Sequence, residues 1–187
     1  MPAEQLPVSA SADPASLSKN DVYSIFQDRS GIRWFGTFGG GVAHFDGTNW
    51  TVYTQYNSGL PVNEVPSIAT DPDGSHWFGL GLARGIVHFD GNTWISYNPN
   101  MLIPPLTMIL NLARDISVAP DNSHWVGSDV GVFHLKETTW TVYNSSNSML
   151  PNNNVSAVAA YPDGSHWFGT DGGVGVLWNL PSHPIID

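Results

Sequence analysis

The sequence predicts an all-β protein built from four copies of one antiparallel unit. The phrase Trp-X-Gly recurs at spacings of 43, 48 and 42 residues. It begins at Trp34, Trp77, Trp125 and Trp167. The apolar segments around these tryptophans are short, rich in Val, Ile, Thr and aromatic residues, and bounded by turn phrases, which is typical of strands and leaves no room for a helix of about ten residues. A repeat of this length indicates one structural unit used four times.

Four strands, A to D, are predicted in each copy, and the second copy shows them most clearly. They cover residues 65–70, 76–80, 85–89 and 93–97. The A–B connection reads Asp-Pro-Asp-Gly at 71–74, where proline fixes one φ angle and glycine takes a positive φ at little cost. The C–D connection contains Asp90-Gly91, a strong hairpin sequence. Each copy is therefore expected to be a four-stranded antiparallel meander.

Meanders repeated in this way are the blades of a β-propeller, in which sheets stack radially around a central channel. We expect four four-stranded blades, at about 20–62, 63–110, 111–152 and 153–187, after an N-terminal extension of residues 1–19 that holds a candidate closing strand. The last copy has three clear strands and a weak fourth at 184–186. Two arrangements stay open: a small closed ring, or an open piece of a larger propeller, which would expose strand edges and favour association.

Composition excludes several classes of function. The chain has 187 residues, six Lys and Arg against sixteen Asp and Glu, and a net charge of −10, so nucleic acid is not expected as a partner. The absence of cysteine excludes disulfides, thiolate zinc sites and thiol nucleophiles. The longest apolar stretch, 102–112, contains two prolines and is far shorter than the roughly 20 residues of a membrane span, so no membrane insertion is expected. The first twenty residues lack the basic start and hydrophobic run of a signal peptide.

One phrase of the repeat resembles a known family. Its pattern, N-x-V-x-x-I-x-x-D-x-x-G-x-x-W-F-G, is filled here by Asn63, Val65, Ile68, Asp71, Gly74, Trp77, Phe78 and Gly79. Together with the linkers at 57–61 and 147–151, it resembles the two-component-regulator propeller repeat family over residues 20–180. The resemblance implies a ligand-sensing extracytoplasmic domain of a hybrid sensor kinase, or a repeat region of a secreted surface protein. Members of this family usually have more blades than this chain. An extracytoplasmic location is therefore expected, although the chain shows no signal peptide.

The predicted topology divides the connections between two faces of the propeller. Because the strands alternate in direction, the A–B and C–D turns lie on one face and the B–C and D–A connections lie on the other. The first set is short and similar from copy to copy, whereas the second set varies in length and composition. Binding sites concentrate in variable loops on a rigid scaffold, so a ligand is expected on the second face.

Two groups of residues on that second face are candidate ligand contacts. Four asparagines occupy the same point of each repeat, just before strand A, where their carboxamides could line the channel mouth: Asn20, Asn63, Asn111 and Asn153. The alternative is that each asparagine closes a turn through its own backbone. Five charged residues nearby break the fourfold pattern and complete the candidate site: Arg84, Arg114, Asp115, Asp129 and Asp171.

Other repeated residues have simpler structural interpretations. Seven of the eight tryptophans lie at repeat-equivalent positions and are expected to pack between sheets, whereas Trp178 lies outside the pattern and is a candidate for an exposed ring or an oligomer contact. Histidines recur beside the strand B tryptophans and in strand C, on separate blades, which does not bring metal ligands together. No catalytic residue, metal site or cofactor is assigned, because neither an activated nucleophile nor a phosphate-binding loop is recognisable.

These observations favour a non-catalytic ligand-binding or interaction module for a carbohydrate or another neutral polar ligand. The expected partners are a small polar molecule or a glycan, with a homo-oligomer or missing neighbouring blades as further options. Two alternatives stay open: a lyase or hydrolase that uses His and Asp residues at the channel mouth, and a structural or oligomerising repeat segment.

Overall fold

The computed structural model describes residues 21–98 and 112–178, and these residues form fifteen β-strands and no helix. The strands are β1 Asp21–Gln27, β2 Arg33–Phe38, β3 Val42–Phe45, β4 Trp50–Tyr53, β5 Ser67–Thr70, β6 His76–Gly79, β7 Ile86–Phe89, β8 Trp94–Tyr97, β9 Asp115–Val118, β10 His124–Ser128, β11 Gly131–Lys136, β12 Thr139–Tyr143, β13 Val155–Ala160, β14 Ser165–Thr170 and β15 Gly173–Trp178. Within the described ranges, no helix is therefore present that could cross a membrane.

The strands form four antiparallel meanders in chain order. Three sheets have four strands, β1–β4, β5–β8 and β9–β12, and the fourth has three, β13–β15. This arrangement confirms the predicted all-β class and the propeller blade. The weak fourth strand predicted at 184–186 and the candidate closing strand in 1–19 lie outside the described residues.

The A–B turns form as their sequences predict. Gly74 and Gly164 have φ of +92° and +83°, in the left-handed region that glycine enters most easily. In the third copy the same position is Asn122, with φ of +59°, and asparagine tolerates this region better than most residues. Asp28, Gly74 and Asp90 line one cavity, which shows that the A–B and C–D turns lie on the same side of the molecule.

The second sheet starts two residues later than the pattern predicts. Strand β5 begins at Ser67, and Val65 instead donates its backbone N–H to the carbonyl oxygen of Thr37 in the first sheet, at 2.8 Å. Pro66 has no N–H to offer to a strand ladder. The chain is therefore hydrogen-bonded to the preceding sheet just before it enters its own.

Three hydrophobic cores lie between consecutive sheets. In each core the strand B tryptophan of one sheet packs with residues in or just before strand A of the next: Trp34 with Val65 and Ile68, Trp77 with Ala113 and Ile116, and Trp125 with Val155 and Val158. These three tryptophans are buried, as expected of aromatic residues that fill the space between sheets. None of the three cores joins the first sheet to the fourth, so the described residues form an open array.

Candidate functional site

A cavity of about 270 Å³ lies where the first strands of all four sheets converge. The described residues that line it are Tyr23, Thr37, Phe38, Glu64, Pro66, Leu112, Arg114 and Ser156. Each of them lies at or just before the start of a strand A, or at the end of a strand B. The cavity therefore opens on the face that carries the B–C and D–A connections.

Four of the lining residues occupy one equivalent position of the repeat. Each directly follows a valine or an alanine, in or just before strand A, and each belongs to a different copy of the repeat: Tyr23, Pro66, Arg114 and Ser156. In the first and last sheets this position is a β-bulge, because the pairing register shifts between Val22 and Ser24 and between Val155 and Ala157. Bulges re-aim side chains. One scaffold position thus presents an aromatic ring, a proline, a cation and a hydroxyl to the same cavity.

An exposed aromatic pair forms one wall of the cavity. The rings of Tyr23 and Phe38 have centroids 5.8 Å apart and planes inclined by 51°. Both side chains are more than half exposed, at 58% for Tyr23 and 51% for Phe38. Exposed rings held side by side offer an apolar surface that has a fixed shape.

Glu64 supplies the carboxyl group of the cavity. Its side chain packs against Gly81, where a Cβ atom would overlap the carboxyl group. Its backbone carbonyl accepts a hydrogen bond from the Gly81 N–H at 3.0 Å and its backbone bridges to Phe38. Burial raises the pKa of Glu64 above its ordinary value, because the charged form loses solvation.

Arg114 supplies the cation. Its backbone N–H donates to the carbonyl oxygen of Gly127 at 2.9 Å, which holds the residue beside the C-terminal end of β10. Its Nε atom is buried and has no hydrogen-bond partner among the described residues. A guanidinium nitrogen in this state is a donor that a ligand could satisfy.

Asp115 connects two sheets instead of lining the cavity. Its Oδ2 accepts a hydrogen bond from the backbone N–H of Val158 in the fourth sheet at 2.8 Å, and its Oδ1 accepts from the N–H of Ile116 at 3.0 Å. Burial raises the pKa of Asp115, and these two hydrogen bonds lower it by less. The carboxylate therefore acts as a tie between the third and fourth sheets.

The two described asparagines of the predicted ring make matching bonds within their own connections. The Oδ1 atom of Asn63 accepts from the backbone N–H of Gln55 at 2.8 Å, and that of Asn153 accepts from the N–H of Ser145 at 2.8 Å. Neither residue lines the cavity. Asn20 and Asn111 lie outside the described residues.

The remaining predicted site residues lie apart from the cavity. Arg84 is exposed on the B–C connection of the second sheet. Asp171 is exposed and accepts a hydrogen bond from Nδ2 of Asn154 at 2.5 Å. Asp129 has a buried Oδ1 with no partner among the described residues, but it does not line the cavity either. Of the charged candidates, the structure brings only Arg114 into the cavity.

Sequence reasoning missed Tyr23, Phe38 and Glu64. The repeat nevertheless contained a signal three residues after the asparagines, at the position filled by Tyr23, Pro66, Arg114 and Ser156, because residue type changes there in every copy. Variation at one position of an otherwise regular scaffold is typical of a site adapted to a partner.

The histidines and acidic residues of the described ranges do not form a metal site. No group of three or more His, Cys, Asp or Glu residues there is placed to hold an ion. The strand B histidines, such as His76 and His124, lie between sheets beside tryptophans and not at this cavity.

The comparisons with known proteins agree with this architecture. Residues 16–39 match the family model described as the two component regulator propeller. No curated protein sequence matches the chain. Among solved structures, the extracellular domain of a hybrid two component system from B. thetaiotaomicron superposes with a TM-score of 0.70 at 22% identity, covering 84% of this chain and 21% of that one.

Two further structures have the same fold. PorZ, a surface component of the type-IX secretion system of Porphyromonas gingivalis, has a TM-score of 0.63 at 21% identity over 82% of this chain and 25% of its own. Virginiamycin B lyase from Staphylococcus aureus has a TM-score of 0.61 at 17% identity over 86% of this chain and 56% of its own. This chain therefore spans 21%, 25% and 56% of the lengths of these three structures. The family match and the shared fold confirm that the chain is a β-propeller array that resembles the two-component-regulator propeller repeat family.

Proposed function

We propose that this chain is a non-catalytic, sensor-type binding module that takes a carbohydrate or another small neutral polar ligand in the cavity at the channel mouth. One observation carries the proposal. A single repeat position supplies chemically different side chains, Tyr23, Pro66, Arg114 and Ser156, to one cavity, while the sheets that hold these residues repeat one another. A purely structural repeat has no need for such differences.

The chemistry of the wall residues suits a sugar. The exposed rings of Tyr23 and Phe38 can stack against the apolar face of a pyranose, and the Nε atom of Arg114 can donate to a hydroxyl. The carboxyl group of Glu64 can accept from a second hydroxyl. A cavity with one cation and one carboxyl group favours a ligand without net charge, and about 270 Å³ is close to the lower limit of ligand pockets, as a ligand of one or two rings requires.

An extracytoplasmic location is part of the same proposal. Two of the similar solved structures support it, since one is an extracellular domain and the other is a bacterial surface component. The repeat resemblance points the same way.

The lyase or hydrolase alternative has less support in this cavity. It needs histidines or aspartates at the channel mouth, and the described lining residues include neither. Glu64 is the carboxylic acid among them, and it lies against Gly81 without a histidine or a second carboxyl group beside it in the lining.

A glycan array followed by calorimetric titration of the strongest ligand tests the proposal. We expect Tyr23→Ala and Phe38→Ala each to weaken the affinity about tenfold or more, because each removes half of the stacking surface. Tyr56→Ala is the matched control, since Tyr56 is an aromatic residue that is 83% exposed and lies away from the cavity. An array on which no glycan binds would overturn the proposal of a carbohydrate ligand, and an affinity unchanged in both cavity variants would overturn the assignment of this cavity as the binding site.

A further inference from the structure

The two ends of the sheet array expose apolar faces that are buried everywhere inside it. We call the outer side of the first sheet the front face, formed by Val22, Ile25 and Arg33. We call the outer side of the fourth sheet the back face, formed by Trp167, Val174 and Val176. Inside the array, the side of each sheet that corresponds to the back face packs on the side of the next sheet that corresponds to the front face.

The front face has the composition of a buried interface. Ile25 is 70% exposed, whereas its equivalents in the next three sheets are nearly covered, at 8% for Ile68, 5% for Ile116 and 8% for Val158. Val22, likewise exposed, corresponds to Val65 in the second sheet, which is fully buried. The same apolar residue types are therefore covered by a neighbouring sheet in the second, third and fourth sheets and exposed to solvent in the first sheet.

The back face shows the matching pattern. Trp167 is 41% exposed, whereas Trp125 in the same position of the third sheet is 2% exposed. Val174 is 62% exposed, whereas its equivalent Val132 is fully buried. A contiguous exposed apolar surface of this kind marks an interaction site in soluble proteins.

Charge at the two ends favours one pairing. Inside the array, the histidine just before the strand B tryptophan of each later sheet packs on the tryptophan of the preceding sheet. The ring centroids are 4.1 Å apart for His76 and Trp34, 4.1 Å for His124 and Trp77, and 4.4 Å for His166 and Trp125. The front face carries Arg33 at this position, because Arg33 pairs with Phe45 as His76 pairs with Phe89.

The back face offers a site for this arginine. A cavity of about 300 Å³ there is lined by Tyr161, Asp163, Ser165 and Trp167. A guanidinium that stacks on Trp167 next to the carboxylate of Asp163 would gain a cation–π contact and an ion pair. Arg33 on the front face is therefore complementary to Asp163 and Trp167 on the back face.

From these faces we infer that a second copy of this chain docks head to tail, with the back face of each copy on the front face of the other. The contact continues the interface that the chain already forms three times between its own sheets. Two copies would bring eight sheets together, which is within the range of four to eight blades in propellers. Because a head-to-tail contact forms a ring when the rotation closes, both ends of both copies would be covered.

Sedimentation equilibrium and light scattering on the full chain test the inference. We expect a mass twice the 20.3 kDa of one chain at micromolar concentration. Ile25→Asp and Val174→Asp should each give monomers, because each places a charge in one of the two faces. Ile95→Asp is the control, since Ile95 is 45% exposed but lies on β8 of an internal sheet. Circular dichroism and thermal unfolding confirm that each variant remains folded.

A mixing experiment separates head-to-tail docking from other association. Ile25→Asp chains retain an intact back face and Val174→Asp chains retain an intact front face, so an equimolar mixture should form a dimer although neither variant does so alone. Arg33→Glu should weaken the dimer at least tenfold, and Asp163→Arg in the same chain should restore part of that loss. A wild-type chain that stays monomeric at tens of micromolar, or a dimer that survives both face variants, would overturn the inference.

Discussion

Nε2 of His124 lies 2.9 Å from Oδ1 of Asp71, across the boundary between the second and third sheets. The other oxygen of the same carboxylate accepts a hydrogen bond from Nε1 of Trp77 at 2.7 Å. One aspartate at the end of a strand A thus holds the tryptophan of its own sheet and the histidine of the next. Because the contact crosses a sheet boundary, it adds a directional tie to the apolar packing between these two sheets.

The three boundaries differ in this tie. At the first, Oδ2 of Asp28 accepts from Nε1 of Trp34 at 3.1 Å and lies 3.9 Å from Nε2 of His76. At the third, the equivalent residue is Ala119, and Nε1 of Trp125 is buried without a partner among the described residues. The carboxylate present at two boundaries is therefore missing at the third.

Asp71→Ala should destabilise the fold by about 1–3 kcal/mol, because it leaves the indole N–H of Trp77 buried and unsatisfied and removes the partner of His124. Urea unfolding followed by tryptophan fluorescence measures the change. Asp171→Ala is the control, since that carboxylate is exposed. Equal unfolding free energies for the two variants would show that the tie between the sheets contributes nothing.

Ala119→Asp should stabilise the protein by about 1 kcal/mol, because the new carboxylate can accept from Nε1 of Trp125 as Asp71 accepts from Trp77. Ala119→Leu adds side-chain volume without an acceptor and is the matched control. The melting temperatures of both variants are compared with that of the wild type. The prediction fails if the aspartate variant melts no higher than the leucine variant.

Stability should fall as the pH drops from about 8 to about 6. Burial lowers the pKa values of His44, His76, His134 and His166, so the folded chain binds fewer protons at these sites than the unfolded chain. Stability therefore decreases as the pH passes below the ordinary histidine value of about 6.5 towards the lower folded values. Urea midpoints measured over this range, which lies above the ordinary carboxyl pKa values of about 4, should decrease with acidification.

A variant of one histidine checks the assignment. His134 stacks on Trp125 with centroids 4.0 Å apart and planes 19° apart, so His134→Phe keeps an aromatic ring in the stack and removes a titrating group. We expect a weaker dependence of the urea midpoint on pH in this variant. A dependence identical to that of the wild type would mean that His134 does not contribute to it.

The parts of the fold that local chemistry decides could be predicted from the sequence. The turn at Gly74 and the burial of Trp77 follow from a φ preference and from a repeated aromatic position, and both are as predicted. The start of β5 differs by two residues, because Val65 bonds to Thr37 in another sheet, and no local pattern encodes a partner 28 positions away.

The candidate site was harder to predict, because its residues meet only after the sheets are assembled. Aligning the four copies of the repeat located the connections that precede each strand A, but it did not predict the direction in which individual side chains point. Asn63 bonds to Gln55 within its own connection, whereas Tyr23 reaches the cavity through a β-bulge that is visible only in the strand pairing. Arg114 could be predicted as a site residue because its residue type differs from those at the equivalent positions of the repeat. Such differences between copies were the one property of the site that could be recognised in the sequence.

Gly59→Ala should destabilise the fold by about 1–3 kcal/mol through steric overlap. A Cβ at Gly59 would lie 2.5 Å from Cβ and 2.8 Å from Cγ of Trp94. Trp94 cannot easily move away, because its ring stacks on Phe89 at 4.3 Å and meets Tyr53 edge-on at 5.3 Å. The first connection between sheets therefore depends on glycine to admit this ring.

Gly169→Ala is the matched control, since the nearest atom to its Cβ would be the Cβ of Ala157 at 3.4 Å, an ordinary contact. Neither glycine has a φ in the left-handed region, so backbone strain does not separate the two variants. Chemical denaturation should show a loss for Gly59→Ala several times larger than for Gly169→Ala. A double variant with Trp94→Gly should recover most of the steric loss relative to Trp94→Gly alone, because glycine lacks the Cβ and Cγ atoms that the new methyl group would overlap. Equal losses in both backgrounds would show that the Trp94 side chain does not cause the effect.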